Sequence, residues 1–423
     1  MRLFDPRFMK LLTFLTRRQA WLSPTEIARE FKLDGGRVTS RTIHRWFLRL
    51  REAGAFVYYP YPKANVLGLQ DVFVRVYGAR HEGIFGILPF GSSFNVEVSL
   101  GTGQPFVTQG YWVPGSSVDE FRAYWRAARD LGLVEEVAIF QSRNTHFIFS
   151  PFHEMIAEDG LVSVKKPVDN SHFEALLKRN LRGPFEVRVG DVIAKSPLVI
   201  PVVLEHIWTH FSSAQLWAVI REKGEEPIRA YLHGSRARAL RRPGAALRLL
   251  QAQWASLMGD FDEVFLQPRV FFDWRGLRNL MVVSFVIRPG SVDRMVEAAL
   301  RASEHSVFTT LKPGVGYEET ALVSCFSPME RLLDLLDVVR SFHRDREPPV
   351  VAVQDQRATF ELFQPVFCRV DWRLFDPTAL VWRFDGSAYV ERLKEFKPRA
   401  NELVVSRSPV KSAWTRLGEQ PET

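Results

Sequence analysis

The stretch VTSRTIHRWFLRLREAGAF, Val38 to Phe56, decides how the chain is read. Ile43, Phe47 and Leu50 recur at i, i+4 and i+7, so they share one helical face that a neighbouring helix can bury. Arg41, Thr42, His44, Arg45 and Arg49 are left on the outer face. Gly54 stands where a left-handed residue ends a helix, and Phe56 to Tyr59 follow as an aromatic and β-branched run of strand type. Upstream, SPTEIAREF carries Ser23 as N-cap, Pro24 at the first helical position and Glu26 three residues after the cap, the spacing of a capping box. Asp34, Gly35 and Gly36 supply a turn between the two helices. Helix, turn, basic helix and wing strand make a winged helix-turn-helix, with Arg7 to Thr16 as the helix behind it. Its expected DNA contacts are Arg37, Thr39, Ser40, Arg41, Thr42, His44, Arg45 and Arg49, with Lys63 just past the wing. Arg and Lys suit phosphates and guanine edges, and Thr and His suit backbone or base acceptors. The plainer reading is a solvated basic face on an ordinary helix.

The whole chain leans the same way. It has 423 residues, 46% hydrophobic and 25% charged, with Lys+Arg 56 against Asp+Glu 48, a net +8 and a pI near 9.5. Such a balance favours a polyanionic partner, although an enzyme for anionic substrates shares it. Two cysteines, Cys325 and Cys368, cannot make a repeated disulfide framework or a four-cysteine zinc site, and they fit a reducing, cytoplasmic interior. Charge and proline interrupt MRLFDPRFMK where a signal peptide needs an apolar core. No run reaches about 18 apolar residues, so no membrane span is expected.

After the proline-punctuated YPYPKANVLGLQD the period changes. DVFVRVY reads as a strand, the residues to Leu88 as a short helix, SFNVEVSL and PFVTQGYWV as strands, SSVDEFRAYWRAARDL as a helix and VEEVAIF as a strand. This β-α-β-β-α-β order is ferredoxin-like. An internal repeat follows: Gly68-Leu69 is matched by Gly276-Leu277 and Pro60 by Pro268, each at an offset of 208. LMVVSFVI, SVDRMVEAALRA, SVFTTL, ETALVSCF, SPMERLLDLLDVVRSF and PPVVAVQ then repeat the order, and SSAQLWAVIREKG, EEPIRAYL and AALRLLQAQWASLMGDFDEVFLQP echo the helical unit. The expected fold is α+β, a winged helix-turn-helix plus a ferredoxin-like domain, the pair duplicated in tandem. The boundaries are 1–65 and 66–153 for the first pair, 154–200 for a connector with a small sheet or hairpin, 201–272 and 273–366 for the second pair, and 367–423 for a C-terminal extension. VFVRVY and MVVSFVI are apolar enough to be buried on both faces.

TIHRWFLRLREAGAF, a proline-containing wing, GLQD and the β-α-β-β-α-β order together resemble the Lrp/AsnC (feast/famine) transcription regulators. The resemblance implies a winged helix on double-stranded DNA and a RAM-type ferredoxin-like domain that dimerises and senses a small molecule. It implies that the loop Gly101, Thr102, Gly103, Gln104 borders the effector site, although Gln104-Pro105-Phe106 replaces the family's usual aspartate. It also implies an internal pseudo-dimer, in which the two ferredoxin-like domains pack sheet against sheet, with pairing of whole chains as a further level.

In the second helical unit, Arg236, Arg238, Arg241, Arg242 and Arg248 crowd SRARALRRPGAALR and offer a second DNA contact that would grip phosphates, against the alternative of a unit that only packs. Catalytic chemistry is not evident. His206 and His210 lie four apart in LEHIWTH without a third ligand nearby, and His146 and His153 do no better, so no metal is expected. GTG at Gly101 to Gly103 and PGVG at Pro313 to Gly316 lack the spacing and lysine of a phosphate loop. The leading expectation is therefore a DNA-binding transcription regulator, not an enzyme and without a cofactor. Two others stand beside it. One is an enzyme similar to the siroheme decarboxylases, which share the scaffold and carry His and Arg near the second strand, where ILPFGSSFNVEV has neither. The other is an architectural or nucleoid protein binding DNA without sequence preference.

Overall fold

The structure, a computed structural model, describes residues 4–18, 22–52, 56–209, 243–272, 276–315, 320–344, 349–356 and 370–396, with Tyr231 and Thr359. It is a mixed α+β protein. Three helices open it: α1 (Pro6–Arg17), α2 (Pro24–Glu30) and α3 (Ser40–Glu52). Ser23 caps α2 and Glu26 answers it, the reciprocal bonds of a capping box. Between α2 and α3, β1 (Lys32–Leu33) and β2 (Gly36–Arg37) form a small hairpin. Asp34 and Gly35 both take positive φ, 50° and 83°, as a tight two-residue hairpin turn demands. Phe8, Leu11, Leu12 and Leu15 of α1, Ile27 of α2 and Ile43 of α3 are buried together.

The strand after α3, β3 (Phe56–Pro62), does not fold back as a local wing. It pairs antiparallel with β9 (Phe265–Phe272), and Pro60 stands directly opposite Pro268, the residue at the same place in the other half. An X-Pro-rich strand cannot sit inside a wider ladder, which keeps this ribbon two-stranded.

The first half continues through β4 (Leu69–Tyr77), β5 (Gly91–Ser99), β6 (Pro105–Pro114), α4 (Val118–Asp130), β7 (Glu136–Ser142) and β8 (His146–Phe149). Between β4 and β5 the expected helix is only a 3-10 turn, Glu82–Gly86. The segment 154–200, expected as a connector with a small sheet or hairpin, has an antiparallel bridge, Ile156 to Val162, and carries helices as well; α5 (Phe152–Met155) leads into it, and α6 (Glu174–Arg182), α7 (Asp191–Lys195) and the start of α8 (Val199–Thr209) follow. Leu176, Leu177 and Leu181 recur at helical spacing on α6, a signal stronger than the β-type alternation around it. The second half runs α9 (Pro243–Gly259), β9, β10 (Leu280–Ile287), α10 (Val292–Ser303), β11 (Phe308–Pro313), β12 (Ala321–Pro328), α11 (Leu332–Phe342) and β13 (Val351–Gln354).

These strands form one nine-stranded antiparallel sheet in the order β7-β4-β6-β5-β13-β10-β12-β11-β8. Each half contributes its strands in the same internal order, fourth, first, third, second, as a ferredoxin-like sheet does. The halves join edge to edge through β13 and β5, where sheet-against-sheet packing was expected, because the backbone groups left open along those two edges satisfy each other. The sheet curls until its ends meet: Ser142 bridges Gly314, Arg143 N donates to Pro313 O, and β8 pairs with β11. One face is thereby turned outward to the helices and the other inward.

On the outer face of the first half, Val72, Val74 and Tyr111 meet Phe121, Tyr124 and Trp125 of α4. On that of the second, Val283, Phe285, Val323 and Cys325 meet Met295, Ala299, Leu335 and Val339, and α6 joins the same cluster. The described part of the C-terminal extension, 370–396, packs on the first half. A helix, α12 (Gly386–Leu393), lies against α4, with Gly386 N donating to Glu120, and Trp382 Nε1 donates to Leu67 O. Leu393 is fully buried, so Leu393→Ala is expected to cost about 2–5 kcal/mol in urea unfolding; a change under about 0.5 kcal/mol would show that α12 is not part of the folded core.

Candidate functional site

Two places hold the candidate functional side chains. The first is α3. Thr39 caps it by accepting from Thr42 N at 3.2 Å, and the Thr39 and Thr42 hydroxyls hydrogen-bond each other at 2.9 Å, so both have a structural task. Arg37, Arg41, His44, Arg45 and Arg49 are exposed, while Ser40 and Thr42 are half-buried. Lys63 does not join them: its ammonium turns back to the Asp262 carbonyl, and burial lowers its pKa. Gly54 lies outside the described residues.

The remaining expected contacts are scattered. Arg248 is exposed on α9, whereas Arg236, Arg238, Arg241 and Arg242 lie outside the described residues, as does His210. Gly101, Thr102, Gly103 and Gln104 form an exposed, self-satisfied turn between β5 and β6, in which Gly103 N donates to Ser99 O and Gln104 N to the Thr102 hydroxyl. No group of three metal-ligating side chains occurs among the described residues, and no helix among them is long and apolar enough to cross a membrane.

The second place is the inward face of the curled sheet, which sequence reasoning did not identify. Because strand side chains alternate, Asp71, Phe73 and Arg75 of β4 all point inward, as do Glu97 of β5, Thr108 and Trp112 of β6, Ser284 of β10, Thr310 and Lys312 of β11 and Phe147 of β8. The β3–β9 ribbon covers this face: Tyr61 packs against Trp112 and Phe147, and the Arg269 guanidinium lies 4.5 Å from the Phe147 ring centre.

The Lys312 ammonium sits 3.7 Å from the centre of the Phe73 ring and takes no hydrogen bond among the described residues. Asp71 Oδ2 accepts from the Thr145 hydroxyl at 2.8 Å; its Oδ1 is buried without a partner, and Trp112 Nε1 faces the carboxylate without closing a bond of ordinary geometry. Arg75 lies 5.3 Å from the Phe106 ring centre and leaves Nη2 buried and unpartnered. Thr310 Oγ1 and Ser93 Oγ are orphaned as well. Buried polar groups are ordinarily paired, so this concentration of orphans at one face is informative.

Burial raises the Asp71 carboxyl to about 6, against the opposing pull of Lys312, Thr145 and Trp112. Burial lowers the Lys312 ammonium to about 8, although Asp71 and Glu97 pull it up. Perturbed groups gathered on one covered face are typical of functional sites. They also set a pH dependence. The folded pKa of Asp71 lies above its ordinary value, so its contribution to stability is present in acid and lost as pH rises through about 6. That of Lys312 lies below its ordinary value, so its contribution is present in strong base and lost as pH falls through about 8. Both charges are therefore borne between those values. Measured against an Asp71→Asn/Lys312→Met variant, the wild-type urea midpoint should dip in that window and rise on either side. A difference that stays flat across both titrations would contradict the buried charges.

No family model and no curated protein matches the sequence. Among solved structures, the chain is similar to the siroheme decarboxylase NirDL and to NirDL in co-complex with an iron-uroporphyrin III analogue. Identity is 9% in both, covering 92% of this chain and 97% of the other, with TM-scores of 0.40 and 0.39. The expectation that the chain is not an enzyme is withdrawn with this finding, since both structures are of one.

Proposed function

We propose that the chain is an enzyme of the siroheme-decarboxylase type, which takes a flat, carboxylate-bearing tetrapyrrole at the inward face of the curled sheet. The observation that carries the reading is a charge imbalance inside the sheet. Arg75, Arg269 and Lys312 stand against Asp71 and Glu97, and the other four all bear electrostatically on Lys312. A surplus buried cation is costly, and a substrate carboxylate neutralises it. Phe73, Phe106, Phe147 and Trp112 give the flat apolar surfaces that a large aromatic ring needs. The cations that ILPFGSSFNVEV lacks come from β4, β9 and β11 instead.

Decarboxylation breaks the bond between a side-chain carbon and its carboxylate. Carbon dioxide leaves, the electron pair stays on the carbon, and a proton takes its place. Lys312 is the donor, because its pKa near 8 keeps it protonated yet acidic enough to give the proton up. Arg75 and Arg269 hold the remaining carboxylates. Incubating the protein with an iron-uroporphyrin and following the tetrapyrrole by mass spectrometry tests the reading: loss of carbon dioxide supports it, and an unaltered, unbound tetrapyrrole refutes it.

A second reading is favoured by α3, whose exposed row of Arg41, His44, Arg45 and Arg49, beside Arg37, has no role in that chemistry. It would place the helix on double-stranded DNA. Arg45→Ala/Arg49→Ala is expected to leave the fold intact and weaken DNA binding by about 1–3 kcal/mol for each base that an arginine reads, with a shallower salt slope. Unchanged affinity and slope would remove α3 as the reader.

A further inference from the structure

Gly110 stands on the inward face of β6, between Thr108 and Trp112, and is buried. It is in register with Phe73 of β4 on one side and with Ser93 of β5 on the other. On that second side the ladder slips: Gly91 pairs with Tyr111 and Ser93 with Gly110, so Ser92 is an extra residue and β5 bulges. Successive side chains of a regular strand point to opposite faces, whereas this bulge brings two successive hydroxyls to one place. A Cβ added to Gly110 would meet Ser93 Oγ at 2.5 Å, Ser92 Oγ at 2.6 Å and Phe73 Cε1 at 2.9 Å, each closer than a real Cβ stands. The missing side chain at 110 is therefore what lets two hydroxyls and a ring edge gather there. The same Phe73 ring carries the Lys312 ammonium, 3.7 Å from its centre.

The Ser93 hydroxyl oxygen is buried and has no hydrogen-bond partner. A buried hydroxyl left without a bond costs stability, so alanine at 93 would serve the folded chain better than serine. We infer that the β5 bulge presents Ser93 as a ligand-binding residue of the inward face, its hydroxyl donating to an oxygen of a carboxylate that lies beside the Phe73 ring, with Gly110 keeping the approach clear. The inference rests on the site reading above and adds to it a neutral donor, from a strand that brings no cation. Lys312 and Arg75 attract an anion from any direction, whereas a hydroxyl donates one bond along one line. Ser93 thus sets how the carboxylate is turned.

The test compares wild type, Ser93→Ala and Gly110→Ala as full-length proteins, by urea unfolding without ligand and by absorbance titration with an iron-uroporphyrin. Ser93→Ala removes an unsatisfied hydroxyl, so its urea midpoint should equal or exceed that of wild type, while its affinity for the tetrapyrrole should fall about tenfold. Gly110→Ala, whose methyl displaces both hydroxyls and the ring edge, should lose at least as much affinity; should it not fold, Ser93→Ala alone decides. Either wild-type affinity or a lowered urea midpoint in Ser93→Ala overturns the inference and leaves the site reading standing. No spectral change in wild type overturns the site reading and takes the inference with it.

Discussion

At neutral pH Lys312→Met is expected to stabilise the protein, because it removes an ammonium that burial disfavours, and Asp71→Asn is expected to be the less stable of the two variants by about 1–3 kcal/mol. The difference follows from the charge count at the inward face. Removing Asp71 leaves Arg75, Arg269 and Lys312 facing Glu97 alone, whereas removing Lys312 leaves two cations and two carboxylates. In the double variant the loss of Asp71 should weigh less, because the cation it compensated is also gone, and the two effects should not add. Urea unfolding of the four proteins measures this directly. If Lys312→Met is no more stable than Asp71→Asn, the interior holds no surplus of positive charge, and the case for a carboxylate ligand loses its physical basis.

The second large effect is on turnover. Lys312→Met should lower the rate of decarboxylation roughly 100- to 10,000-fold, the usual worth of a positioned proton donor. Arg75→Gln should act mainly on KM, since Arg75 is assigned to binding. Lys312→Arg is expected not to rescue the rate, because a guanidinium keeps the charge but does not release a proton near neutral pH. A Lys312→Met protein that turns over at the wild-type rate would place the proton donor elsewhere.

How much of this was legible in the sequence differs from element to element. The capping box at Ser23 and Glu26 and the helix built on Ile43 are local, set by side chains within one or two turns, and they appear as read. The strand order of the first half was visible as alternation, with one shortfall at Glu82–Gly86, where two glycines within five residues leave only a 3-10 turn. The pairing of Pro60 with Pro268 was half visible: their common offset marked them as equivalent, but nothing local says that equivalent strands meet each other and not a wing of their own.

The inward face was hidden for a related reason. A single Asp or Arg at an alternating strand position ordinarily means a solvated face, and Asp71, Arg75, Glu97 and Lys312 come from three strands in two halves of the chain. Closure of the sheet alone brings them together. A signal was nevertheless present, because DVFVRVY is apolar enough to be buried on both faces, so an Asp and an Arg within it must be covered, and the structure buries Asp71 and half-buries Arg75.

The most direct test of the central claim is an absorbance titration of the ligand-free protein with an iron-uroporphyrin, run in parallel on wild type, Lys312→Met and Arg75→Gln. A saturable, one-to-one spectral change in wild type, weakened about tenfold or more in each variant, is the predicted result. Equal affinity in all three proteins, or no spectral change in wild type, would contradict a carboxylate site at the inward face of the sheet.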